Sequence, residues 1–271
     1  MKISISNLAF GNRDLLELAP VLQRLGADGL EIAPTLIWEE DQALTESGKL
    51  AAKLEQLGLQ VSGIQSLFFG HAEFQVLDPS CQPRILEHLK RMLNVGGNLR
   101  ADVAVFGSPR NRIKGDASQE VADEVFTSFL LKLIPILEEN NLVLTLEPNA
   151  PDYGADYLTT YSEVTRLCKS IGSDRILPQI DTGCMTLVDE DICDSLDLQI
   201  PAHIHISVPN LMKVPGNYDF SKFLNSTCAY GYKGWMVIEM LSKTDSGTKD
   251  ALDSLDWLVR EIEERTSEIT L

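Results

Sequence analysis

Leu142-Val143-Leu144-Thr145-Leu146-Glu147 is a short apolar run that ends on a carboxylate. Three later runs have the same form: ILPQID ending at Asp181, PAHIH ending at His205 and MVIE ending at Glu239. The four terminal residues are 34, 24 and 34 positions apart. Each interval has room for one strand, one helix and two loops, the content of a βα unit. Side chains alternate faces along a strand. Glu147 therefore shares a face with Thr145, Asp181 with Gln179, His205 with His203, and Glu239 with Val237. In each pair the second residue lies nearer the carboxyl end. Four successive strands thus deliver Glu, Asp, His and Glu to one layer. Three carboxylates packed together repel one another, so the set calls for a cation. Its oxygen-rich donors suit Mn²⁺, Mg²⁺ or Co²⁺, with Zn²⁺ an open alternative.

Outward from these runs, strand-like and helix-like segments alternate along the whole chain. Ile3–Phe10 reads as the first strand, and Arg13–Leu25 follows with apolar residues at helical spacing. Leu30–Ala33, Val61–Phe69 and Val103–Phe106 read as the next three strands. Between them lie helices over Gln42–Leu57 and Gln82–Leu93. A helix over Ser118–Asn140 is expected to kink at Pro135. Leu142–Leu146 is strand five. Tyr161–Ile171 is a helix stopped by Gly172. Ile176–Ile180, Ala202–Ser207 and Trp235–Met240 complete eight strands. Short helices are expected near Asp189–Leu196 and Phe220–Tyr230, and a closing helix over Gly247–Arg265. Eight such units over residues 1–271 fit one (β/α)8 TIM barrel domain, in which reactive groups gather at the carboxyl ends of strands. A doubly wound open sheet is the alternative. The count of eight and the lack of a GxGxxG turn after the first strand weigh against it.

Composition narrows the function. The formal net charge is −17, which opposes nucleic acid and anionic membrane surfaces. No run approaches the roughly 20 apolar residues of a membrane span. The start MKISISNLAF reads as a strand rather than a secretion signal. Five cysteines at 81, 168, 184, 193 and 228 include no CxxC pair, as expected of reduced thiols in the cytoplasm. A small-molecule partner is expected, and a homo-oligomer is left open.

The segments LEPN (146–149), IDTG (180–183), HIHIS (203–207) and VIEM (237–240) resemble those of the xylose isomerase-like TIM-barrel superfamily. That group of sugar phosphate isomerases and epimerases includes ketose 3-epimerases and is related to endonuclease IV. The resemblance follows strand order over essentially the whole chain. It implies that Glu147, Asp181, His205 and Glu239 bind a divalent metal, and that Glu147 and Glu239 also exchange the substrate proton. Ketose 3-epimerases place a histidine three residues after the metal aspartate, where this chain has Cys184, and an arginine six residues after the metal histidine, where it has Leu211.

Other strand-end residues are candidates for contact with a sugar or sugar derivative: Glu31, Gln65, Arg110, Asn149, His203 and Lys213. Arg112 joins Arg110 as a possible anion ligand, against the plainer reading of both as partners for an acidic surface. Phe10, Trp38, Phe68 and Phe69 are candidates for an apolar wall. His203, one layer below His205, suits a supporting place, and His71 and His88 read as surface or loop residues. The expected activity is a metal-dependent sugar isomerase or epimerase working through an enediolate. A sugar or polyol dehydratase and a non-catalytic carbohydrate-binding barrel are the alternatives. An endonuclease-IV-like zinc phosphodiesterase is short of histidines and has the wrong charge. A Schiff-base aldolase lacks a lysine within a strand, since Lys213 and Lys243 follow strands.

Overall fold

Alternation along each strand sorts its side chains into two sets, and the fold gives each set its own layer. The computed structural model describes residues 1–241 and 247–269; Lys243 lies outside them. The strands are β1 (Lys2–Ser6), β2 (Gly29–Ile32), β3 (Gln60–Ile64), β4 (Val103–Phe106), β5 (Val143–Leu146), β6 (Ile176–Asp181), β7 (His203–Ile206) and β8 (Trp235–Ile238). They pair in parallel in chain order, and β8 returns to β1 to close the barrel. The predicted (β/α)8 architecture is the observed one.

The outward set is apolar. Ile5, Leu30, Ile32, Ile64, Leu144, Ile180, Ile204 and Ile238 join one continuous core with the surrounding helices. Burying such a layer is the main force holding helix to strand, at roughly 25 cal/mol per Å² of apolar surface. The inward set is unusually polar. Ser4, Ser62, Glu31, Thr145, Gln179 and His203 are all fully buried inside the barrel. Most of their polar atoms pair with one another: the Ser4 and Ser62 hydroxyls meet at 2.6 Å, and Thr145 Oγ1 donates to Gln179 Oε1 at 2.6 Å, whereas His203 Nδ1 has no hydrogen-bond partner among the described residues. Buried polar groups without such partners would each cost stability.

Local chemistry sets the helix boundaries. Tyr161–Ile171 opens with a capping box from Thr160 and Glu163 and ends at Gly172 in the left-handed region, as predicted. The helix expected over Ser118–Asn140 is two helices, Gln119–Leu131 and Ile134–Glu139, with Pro135 in the first turn of the second. The first strand stops at Ser6 instead of reaching Phe10. Asn7 Oδ1 accepts the Ala33 amide at 2.8 Å and turns the chain into a 3₁₀ helix, Asn7–Phe10. The third strand likewise stops at Ile64, since Ser66 takes a left-handed turn at φ 58°. Two short helices, Thr182–Leu187 and Ile192–Leu198, replace the one expected near Asp189–Leu196, each capped by an aspartate.

At the amino-terminal end of the barrel, Trp235 lies across the seam between first and last strands. Its indole N–H donates to Asp102 Oδ2 at 2.6 Å, and the Lys2 ammonium sits over its ring at 4.4 Å. None of the five cysteines is in a disulfide. Among the described residues, no helix is long and apolar enough to cross a membrane.

Candidate active site

Glu147 and Glu239 each lie one residue beyond β5 and β8, while Asp181 ends β6 and His205 lies within β7. The strands do not place them in a common hydrogen-bonded register. Leu146 pairs with Pro178, which sets Glu147 level with Gln179, and His205 pairs with Val237, two residues short of Glu239. The tilt of barrel strands makes up the difference, because each strand is staggered along the axis relative to the last. Donor atoms of all four side chains fall within 4.8 Å of one another.

Each member is held. Glu147 Oε1 accepts from Gln179 Nε2 at 2.8 Å, and its Oε2 accepts from Asn149 Nδ2 at 3.1 Å. Asp181 caps the helix that follows it, with Oδ1 accepting the Cys184 amide at 2.6 Å, while Oδ2 accepts from Ser207 Oγ at 2.8 Å. His205 Nε2 donates to Glu31 Oε2 at 3.0 Å. That bond turns Nδ1 toward the carboxylates, 3.0 Å from Glu147, 3.3 Å from Glu239 and 3.9 Å from Asp181. Gly107, just beyond β4, leaves room for this packing: a methyl group there would collide with Glu147 Oε2.

Glu31 is the residue whose place the sequence did not disclose. It is fully buried and accepts from both His205 and, at 2.8 Å, His203 Nε2. Gln65 Nε2 donates to its second oxygen at 2.8 Å. Glu31, Gln65 and His203 therefore lie beneath the carboxylate layer and not on the cavity wall. The only available signal was one acid inside the apolar run Gly29–Ile32.

Electrostatics follow from this stacking. Burial would raise the Glu31 carboxyl, yet the charge on His205 and the two imidazole hydrogen bonds hold it at about 2. Burial opposes charge on His205, but Glu31 and Glu239 outweigh it and raise the imidazole well above its usual range. Burial lowers His203. Burial pushes Glu239 up to about 7, and burial with the Glu147 charge pushes Asp181 up to about 6. Protons thus collect where negative charge is crowded. A divalent cation fits the same donor set, and the buried His205 Nδ1 has no hydrogen-bond partner among the described residues. Glu147, Asp181, His205 and Glu239 can therefore hold one, with Glu31 fixing the imidazole from behind as carboxylates do behind metal-binding histidines.

Above the carboxylates opens a cavity of about 650 Å³. Glu147, Asp181 and Glu239 are at its floor, with Cys184 and Asn149; Arg110, Tyr153, Phe69, Leu211 and Leu241 form its wall. Arg110 and Asn149 thus line this cavity. Lys213 does not: its ammonium bridges Asp250 and Asp253 at 2.9 Å each. Arg112 is fully buried, donating to the Glu147 carbonyl at 2.9 Å and Asn149 Oδ1 at 2.7 Å. Its Nη2 thereby braces the floor, while Nε and Nη1 have no hydrogen-bond partner among the described residues. Of the four candidate wall aromatics, Phe69 lines the cavity, whereas Phe10 and Phe68 are packed in the core. Trp38 lines a separate outer groove.

The xylose isomerase-like TIM barrel family model matches residues 20–261. No curated protein matches the chain. Among solved structures, a 3-keto-D-glucoside 4-epimerase from E. coli is 19% identical, with a TM-score of 0.76 over 96% of this chain and 99% of that one. A D-psicose 3-epimerase crystallised in the presence of D-fructose is 13% identical, with a TM-score of 0.76 over 96% and 97%. A family 2 AP endonuclease from Brucella melitensis is 16% identical, with a TM-score of 0.76 over 96% and 99%. At these identities the likeness establishes the fold.

Proposed function

The chain belongs to the xylose isomerase-like TIM barrel family, and on that premise we propose that it is a divalent-metal-dependent sugar isomerase or epimerase. The observation that carries this reading is the floor of the cavity, where three carboxylates and an imidazole converge within 4.8 Å. The similar epimerases of known structure act on sugars, which supports the substrate class. When bound, the cation supplies Lewis-acid stabilisation to charge that develops on the substrate's carbonyl and neighbouring hydroxyl oxygens. Mn²⁺, Mg²⁺ and Co²⁺ suit the oxygen-rich set best.

The proton work falls to Glu147 and Glu239, the two glutamates on the cavity floor. One removes the proton beside the carbonyl, giving an enediolate, and the other returns it. Return to the opposite face inverts the centre, and return to the neighbouring carbon interconverts aldose and ketose. Gln179 and Asn149 fix the Glu147 oxygens, while among the described residues the Glu239 carboxylate is faced by His205 Nδ1 at 3.3 Å, so the two carry unequal freedom to follow the proton. Arg110 is the sole cation among the described lining residues and is accompanied by Asp152. That balance favours a neutral sugar over a sugar phosphate. Cys184 and Leu211 give the cavity lining apolar groups where ketose 3-epimerases carry polar ones, pointing away from unmodified ketohexoses.

The test is a panel of sugars incubated in D₂O with Mn²⁺-loaded protein, freed of metal before spectra are recorded by NMR. Deuterium entering the carbon beside a carbonyl is the expected result. Glu147→Gln and Glu239→Gln should each slow that exchange by about 10²–10⁴-fold. Sugar binding with no deuterium uptake would instead identify a carbohydrate-binding barrel, and loss of a β-hydroxyl would identify a dehydratase.

A further inference from the structure

A second cluster of metal-type donors stands at the rim, on the side of β2 and β3. Glu40 opens the helix Glu40–Gln56, His71 lies in the segment after β3, and His88 is on the helix Gln82–Leu99. Their donor atoms also fall within 4.8 Å of one another. Glu40 Oε1 is 3.3 Å from His71 Nε2 and 3.5 Å from His88 Nδ1. A tetrahedron with bonds of about 2.0–2.1 Å, the length of zinc–nitrogen and zinc–oxygen bonds, has edges of about 3.3–3.4 Å. The spacing is therefore that of ligands around a small cation.

The ring of His88 argues the same way. It is buried, 2% exposed, although it was expected at the surface. Its Nε2 donates to the Leu67 carbonyl at 2.7 Å, and a carbonyl can only accept. Nδ1 is thereby left with a lone pair aimed at Glu40 and His71, and it has no hydrogen-bond partner among the described residues. Burial lowers the His88 pKa and keeps the ring in its neutral, ligating form. His71 is oriented in a similar manner, its Nδ1 lying 3.3 Å from Glu73 Oε1 while Nε2 faces Glu40. The remaining Glu40 oxygen lies 3.6 Å from Arg91 Nη2, which holds the carboxylate in place. Such supports behind the ligands are what metal sites need.

We propose that Glu40, His71 and His88 bind a zinc-class divalent cation, separate from the barrel centre. Two imidazoles and one carboxylate favour zinc over magnesium, and half-exposed Glu40 leaves a position for water. The site joins two helices to the segment after β3. That segment carries Phe69, which lines the cavity, and Asn111 beside Arg110 donates to the His71 and Phe74 carbonyls at 2.8 and 2.7 Å. A cation at the rim thus fastens one wall of the cavity without touching its floor.

The experiment is zinc titration of chelator-stripped protein, counted by native mass spectrometry and followed through the histidine ring resonances. Two zinc ions per chain are expected in the wild type, with His71 and His88 shifting together. Glu40→Gln and His71→Ala alter exposed or half-exposed positions, so both should fold, and each should bind one ion fewer. An excess of Mg²⁺ should leave the His71 and His88 resonances unmoved. Unchanged stoichiometry in both variants, or rim resonances indifferent to zinc, would overturn the proposal whether or not the chain moves protons on sugars.

Discussion

The four histidines fall into two pairs, each gathered around a glutamate, and the pairs are built on opposite plans. His203 and His205 occupy one strand, two residues apart, and both donate to fully buried Glu31. His71 and His88 come from a connecting segment and a helix, and they meet Glu40, whose side chain is 47% exposed. At the centre, no water can replace a lost partner, so every polar group needs a protein neighbour. At the rim, solvent stands in. The contrast teaches that similar donors near similar carboxylates carry different stakes according to depth.

Glu31→Ala against Glu40→Ala should separate the pairs most sharply. Removing Glu31 strands two buried imidazoles and is expected to cost about 3–5 kcal/mol, a loss of roughly 10 °C in Tm. Removing Glu40 is expected to cost about 1 kcal/mol or less. Calorimetry of both metal-free variants checks this, and equal losses would erase the distinction. Glu31→Gln comes next. It keeps shape while weakening the hold on His205, and should reduce Mn²⁺ affinity at the centre about 10- to 100-fold, read by isothermal titration. Zinc affinity at the rim should stay as it was.

A smaller effect belongs to pH. In metal-free protein, Glu239 at about 7 and Asp181 at about 6 stand above their unfolded values, and His205 is also raised. Groups raised by folding stabilise below their unfolded pKa and lose that contribution as pH climbs through the folded one. The stability of chelator-treated protein, followed through Tm, should therefore fall between pH 5 and pH 8, by on the order of 1–2 kcal/mol because the crowded acids share protons. Added Mn²⁺ should reverse the trend, since it binds the deprotonated ligands. A Tm that rises over this range without metal would contradict the electrostatics of the floor.

The same depth explains what could be read before the fold was known. Strand-end positions of Glu147, Asp181, His205 and Glu239 were legible, because an apolar run ending in a charge is a local pattern. Tyr161–Ile171 was legible up to its stop at Gly172, whereas the capping box of Thr160 and Glu163 emerged with the structure. The work of Glu31 was not, since its histidine partners lie 172 and 174 residues away and only barrel closure brings them together. Burial of Arg112 was hidden for the same reason: its acceptors are on another strand end. His88 looked like a surface residue because helical spacing does not say which neighbour covers it. The early ends of β1 and β3 came from single side-chain and backbone events at Asn7 and Ser66 that no periodicity encodes.

Trp235 at the seam has a consequence for synthesis of the chain. Parallel pairing of β8 with β1 joins the last strand to the first. A growing polypeptide therefore carries two raw sheet edges until β8 has left the ribosome, and raw edges invite pairing with strangers. Its indole, clasped by Asp102 and capped by Lys2, becomes ordered only when the ring is complete. Fluorescence from that one side chain would time the moment at which the nascent protein stops being sticky.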